Sequence, residues 1–227
     1  MASFSIREVE GMRQIQVDLE GDSFRARRGA MSNMTGPVEM IPRLPGPLEF
    51  IRSLYNDEAR IRPEYRGTGS VLLQPTMAGY HMMDLDGDSR WILEPGVYWA
   101  SAGTIRLGLA RDPIWTSFFL GDGFLNWKTA ISGEGRVVLR IPGPVQEVEV
   151  KDSVFRAQGR IILGRTSGLK FGSTLPARWP RSMWSGQQRL RKLSGSGKVL
   201  VCFTPYWRSY LYQQATGAND LERSLLE

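Results

Sequence analysis

Hydrophobic and polar positions alternate along much of this chain, and the alternation predicts β-strands. Ile15, Val17 and Leu19 are separated by polar residues, and Val148 and Val150 stand between Glu147, Glu149 and Lys151. A period of two puts one set of side chains on a core face and the other toward water. Ser132 to Phe155 shows the full phrase. It runs from Gly133-Glu134-Gly135 through the apolar R-V-V-L-R-I-P and a Pro-Gly-Pro corner to the alternating V-Q-E-V-E-V-K. Short β-rich runs broken by Gly, Pro and Asp at about 8–12-residue spacing indicate an all-β sandwich or barrel.

The phrase recurs. Gly67-Thr68-Gly69 precedes S-V-L-L-Q-P, Gly133-Glu134-Gly135 precedes R-V-V-L-R-I-P, and Gly195-Ser196-Gly197 precedes K-V-L-V-C-F-T-P, at steps of 66 and 62 residues. Asp22, Asp88 and Asp152 step by 66 and 64, and Gly29, Gly96 and Gly159 by 67 and 63. Three tandem repeats follow, at about 4–79, 80–144 and 145–212, within one domain over 1–213. Gly67, Gly69, Gly133, Gly135, Gly195 and Gly197 read as structural turns that open strands. Glu20-Gly21 and Asp86-Gly87 read as tight hairpins that need positive φ. One such unit alone is a marginal β domain with open edges. The expected architecture is therefore three β-sandwich-like repeats packed as one pseudo-threefold domain.

Two segments depart from the strand pattern. Pro37 to Pro47 is too rich in proline for a central strand, and Pro47 to Asn56 has apolar residues at helical spacing. The matching insertion in the third repeat, Ser173 to Leu193, is basic and aromatic. In the tail, 214–227, Asn219-Asp220 is placed to cap a short helix through Leu226.

Length and composition fit a soluble chain that can bury a core: 227 residues, 41% hydrophobic and 23% charged. The one cysteine, Cys202, lies in V-L-V-C-F and reads as a buried small hydrophobe. The N-terminus lacks the apolar stretch of a signal peptide, and no run reaches the ~20 apolar residues of a membrane span. The expected location is cytoplasmic, at most peripheral on a membrane.

Charge changes the picture more. The formal net charge is +6, yet Ser153 to Asn219 holds no Asp or Glu and eleven of the 29 basic residues. The remainder has 18 basic against 23 acidic residues. A field this one-sided favours a polyanion or an acidic partner.

Catalytic patterns are weak. His81 is the one histidine, too few for a cupin-like metal site, and no G-x-S-x-G accompanies it. Asp84, Asp86 and Asp88 in D-L-D-G-D-S lack the glycine position and the bidentate glutamate of a calcium loop, so they read as turn chemistry. Gly195-Ser196-Gly197-Lys198 resembles the end of a phosphate loop, but Lys192 stands at its first glycine and Val199 at its Ser/Thr. No catalytic, metal or cofactor site is expected. The candidate anion- or partner-binding residues are Arg178, Trp179, Arg181, Trp184, Arg189, Arg191 and Lys192. Here Arg and Lys would meet phosphates while the tryptophans stack on bases or enter a lipid interface. The competing reading is a solvated loop whose tryptophans cover a neighbouring lobe.

The repeats, with the phrases D-L-D-G-D-S, W-I-L-E-P-G-V-Y-W-A-S and F-R-A-Q-G-R-I-I-L, resemble the altered-inheritance-of-mitochondria family from about Ile15 to Trp207. The resemblance implies three β-sandwich lobes similar to the subunit of the tryptophan RNA-binding attenuation protein, and no established enzyme activity. It also brings a link, through a fungal member, to organisation of the inner mitochondrial membrane. The expectation is a non-enzymatic, homo-oligomeric scaffold whose basic face meets an anionic membrane or an acidic protein. RNA or DNA binding is the alternative, and a small-ligand binder or enzyme around Asp84, His81 or Tyr98 the third.

Overall fold

The computed structural model describes residues 2–42, 62–76, 79–114, 116, 127–141, 143–158, 161–178, 181–184 and 189–203. The expected helix at Pro47 to Asn56, the C-terminal tail, Trp179 and Gly159 lie outside them. The all-β class read from the alternation is what forms.

The first stretch contributes β1 (Ser3–Val9), β2 (Met12–Ala26), β3 (Met31–Thr35), β4 (Val38–Ile41) and β5 (Glu64–Leu73). The middle stretch contributes β6 (Tyr80–Asp86), β7 (Trp91–Leu93), β8 (Tyr98–Ala102), β9 (Arg106–Arg111), β10 (Trp127–Ser132) and β11 (Glu134–Arg140). The last contributes β12 (Gln146–Ala157), β13 (Ile162–Thr166), β14 (Lys170–Thr174) and β15 (Leu190–Val201). These strands form two antiparallel sheets. Sheet one runs β3-β5-β2-β8-β11-β6, with β1 on β2 and β4 on β5. Sheet two runs β12-β15-β13-β7-β10-β9, with β14 on β15.

The first and last stretches pair their strands alike. In the first stretch β2, β3 and β4 all pair with β5, and in the last β12, β13 and β14 all pair with β15. In the middle stretch the pairings are divided between β10 and β11. There β7 and β9 pair with β10 in sheet two, while β6 and β8 pair with β11 in sheet one. The middle stretch thus ties the sheets together. Its own β8 and the later β13 are buried at every position, as central strands covered on both faces must be.

Two turn expectations are corrected. Gly21 does not close a hairpin: it lies inside the 15-residue β2 at φ 79°, where the register with β5 shifts between Glu20 and Asp22. It is a β-bulge, which needs the left-handed backbone to bend a long strand. Asp152 at φ 40° marks the matching shift in β12. Asp86-Gly87 is likewise no hairpin, because β6 and β7 go to different sheets. Asp86 accepts a 3.2 Å bond from the Asp88 N–H at that corner.

The Gly-x-Gly pairs also sit elsewhere than expected. Gly67 and Gly69 lie within β5, Gly195 and Gly197 within β15, and Gly133 at the passage from β10 to Gly135 in β11. The first and third pairs do not open strands, whereas Gly133 and Gly135 stand at the start of β11. A Cβ on Gly67 would overlap the Pro37 carbonyl oxygen, and one on Gly69 the Thr35 carbonyl oxygen. The β3–β4 turn crosses β5 there, and only glycine lets two backbones come so close. That crossing also explains how residues 38–41 of the proline-rich stretch join the sheet, at its margin rather than its centre.

Alternation sets the core. Ile15, Val17 and Leu19 are buried, and Phe24 stacks on Tyr65 with centroids 4.8 Å apart. The main apolar cluster takes members from both sheets, among them Val71, Leu139, Trp91 and Leu200. A smaller one, with Val150, Leu169, Leu193 and Val199, lies under the last stretch. Cys202 is a buried thiol in no disulfide, within the main cluster, as its apolar surroundings in the sequence predict.

Candidate functional site

The register of β12 and β14 on β15 sorts the basic residues of the acid-free window. Arg156 pairs with Lys192, which pairs with Gly172; Val154 pairs with Ser194, which pairs with Lys170. Directly opposed residues share a face. Leu193 and Ala157 on the alternate positions are buried, so Arg156, Lys192 and Lys170 point outward together. Arg156 and Lys170 are exposed and Lys192 is half-buried.

At one end of this face lies an open groove of about 580 Å³, lined by Arg156, Arg178, Arg189, Ser173, Thr174 and Leu175 with the two residues that follow. Arg178 and Arg189 are exposed. The Ser182 N–H donates to the Arg178 carbonyl at 3.2 Å, starting a 3-10 turn over Arg181–Trp184 from the groove's rim. Trp184 at its end is 79% exposed, the most open of the large apolar side chains described. Five of the sequence-derived candidates therefore have a described place here: Arg178, Arg189 and Lys192 on the face or groove, and Arg181 and Trp184 on the turn.

Arg191 goes the other way. It is buried, beside Glu94, with its Nη1 3.4 Å from Oε1. Glu94 Oε1 also meets the Lys128 ammonium at 2.5 Å, Lys128 lies 2.5 Å from Asp112 Oδ2, and Asp112 Oδ1 accepts from Arg165 Nη2 at 2.5 Å. The result is a row of alternating charge, Arg191–Glu94–Lys128–Asp112–Arg165. Phe171 caps it, its ring centroid 4.7 Å from Lys128 Nζ and 4.9 Å from Arg165 Cζ. Each of β10, β13, β14 and β15 supplies a member, and Glu94 and Asp112 follow directly on β7 and β9. Sequence reasoning missed Glu94, Asp112, Lys128 and Arg165. The available signal was faint: W-K-T-A-I-S around Lys128 has no polar face of its own.

The residues considered for a small-ligand site are occupied in other ways. Tyr98 is buried, its hydroxyl 3.0 Å from Ser101 Oγ and donating to the Arg25 carbonyl at 3.3 Å, and burial raises its pKa. Tyr80 donates to the Gln74 carbonyl, and burial pushes its pKa up to about 12. His81 is half-buried, and burial lowers its pKa against the pull of Glu147. Asp84 takes two bonds from Arg136, at 2.8 and 3.0 Å on the surface, and these lower its pKa. Among the described residues no group of three or more His, Cys, Asp or Glu is placed to hold a metal ion. No helix among them is long and apolar enough to cross a membrane.

A family profile described as mitochondrial biogenesis AIM24 matches residues 4–202, which spans both sheets and the basic face. The chain belongs to the AIM24 family. The match takes in every strand from β1 to β15 apart from the first residue of β1. The chain is also similar to an X-ray structure of a protein from Streptococcus pyogenes, with a TM-score of 0.67 and 19% identity. That similarity covers 92% of this chain and 100% of the other, and it shows a shared fold. No curated protein matches the sequence. The AIM24 fold thus frames two features of this chain: an internal charge row and an outward basic face beside an exposed tryptophan.

Proposed function

We propose that this AIM24-family chain is a non-enzymatic, oligomeric interaction module that binds an anionic membrane surface through the outer face of β12, β14 and β15. The observation that supports it is the grouping of Arg156, Lys170, Lys192, Arg178 and Arg189 beside the exposed Trp184. A basic side chain near an anionic leaflet contributes about 1 kcal/mol. Five of them together, with a tryptophan seated at headgroup level, give reversible peripheral binding. Several copies on one surface would strengthen it by avidity.

The same cations would attract nucleic acid, but single-strand binding rests on a row of stacking aromatics. Trp184 and the groove-lining Leu175, itself 41% exposed, are large apolar side chains open to solvent, which suits a lipid interface. Co-flotation with vesicles tests the proposal. The protein should float with anionic vesicles, not with neutral ones, and less at physiological than at low salt. Absence of flotation under all these conditions, with salt-sensitive RNA binding instead, would replace this reading with the nucleic-acid one.

A further inference from the structure

We infer that the groove at the end of the basic face seats a phosphate monoester, either as a lipid headgroup or as a soluble organic phosphate. The lipid source rests on the membrane reading above; the groove chemistry does not. Three arginines, Arg156, Arg178 and Arg189, and two hydroxyl-bearing residues, Ser173 and Thr174, line one concavity. Guanidinium forks match phosphate oxygens two at a time, and hydroxyls add neutral donors.

No acid lines the groove among the described residues, in keeping with the acid-free window from Ser153 to Asn219. A carboxylate there would compete for the arginines and repel the ligand. Three arginines around one concavity favour a dianion over a monoanion. A monoester carries roughly −1.5 to −2 near pH 7 and offers three strong acceptor oxygens, against one charge for a diester. The volume, about 580 Å³, exceeds what a phosphate alone needs and leaves room for the attached alcohol. The turn that starts from Arg178 carries the exposed Trp184.

The test uses the full chain and two probe sets. Vesicles containing phosphatidic acid are compared with phosphatidylglycerol vesicles adjusted to the same surface potential, and glycerol 3-phosphate is titrated against its methyl diester by calorimetry. The monoester should win by about fivefold or more in both sets. Ser173→Ala with Thr174→Val should abolish the preference while changing diester-vesicle binding less than about twofold, and Arg178→Gln should abolish the preference while also weakening diester-vesicle binding by about fivefold, as loss of one basic side chain from the face requires. Equal binding of charge-matched vesicles together with no calorimetric preference would overturn the inference. Soluble monoester binding that Arg178→Gln removes, without flotation on any vesicle, would uphold the groove and refute the membrane reading.

Discussion

Lys128 and Asp112 meet inside the second sheet, the ammonium 2.5 Å from Oδ2 and both side chains almost wholly withdrawn from water. Glu94 sits at the same distance on the other side of Lys128. Removing one member of such a set strands its partner, and an unpaired buried charge costs about 3–5 kcal/mol. Lys128→Met should therefore destabilise by that amount, lowering Tm by roughly 2–4 °C per kcal/mol for a chain of this size. Adding Asp112→Asn should cost less than the sum of the two single changes, with a coupling of about 0.5–3 kcal/mol. Urea denaturation of the four proteins in the cycle measures it, and strict additivity would contradict an energetically linked row.

The crossing of β5 by the β3–β4 turn makes a sharper prediction about backbone space. Gly69→Ala places a Cβ against the Thr35 carbonyl at φ 153°. It should cost about 1–3 kcal/mol. Gly172→Ala, whose Cβ would meet nothing within 4 Å, should change stability by no more than about 0.5 kcal/mol. Equal effects in chemical denaturation would mean that the crossing is not what demands glycine.

The lone histidine gives a pH signature that carboxylates do not blur. Burial favours the neutral ring of His81, so its pKa in the folded protein lies below the ordinary value. The unfolded chain then takes up the proton first. Stability is full above about pH 6.5 and declines as pH falls from there through the depressed folded value. His81→Gln should flatten Tm against pH between about 6.5 and 5. A wild-type Tm that rises as pH falls through this window would refute the assignment.

Much of the fold could be read from period-two alternation, because burial of a strand face is a local property of the pattern. Ile15, Val17 and Leu19 are as buried as their spacing requires. Glycines were harder: the sequence shows that Gly21, Gly67 and Gly69 are needed, but not whether a positive φ serves a hairpin, a bulge or a close crossing. That depends on which strands become neighbours. The charge row was the least legible. Lys128 finds Glu94 from 34 positions away, and Arg165 finds Asp112 from 53 away. Nothing within one strand marks those four as inward-facing, and a charged residue in a strand is ordinarily read as solvated. Arg191 was taken for surface charge for the same reason, whereas its neighbour Lys192, one position along the pleat, does face outward.

The central claim, that the outer face of β12, β14 and β15 meets an anionic membrane, is tested most directly by moving charge reversal from face to face. Arg156→Glu with Lys192→Glu changes the basic face. Arg7→Glu with Arg28→Glu makes the same change in net charge at exposed positions in the first stretch. Both proteins are floated with anionic vesicles at physiological salt. The account predicts that the first variant stays at the bottom of the gradient while the second floats like the wild type. Equal loss in both would show that net charge alone drives binding, and would contradict a dedicated face.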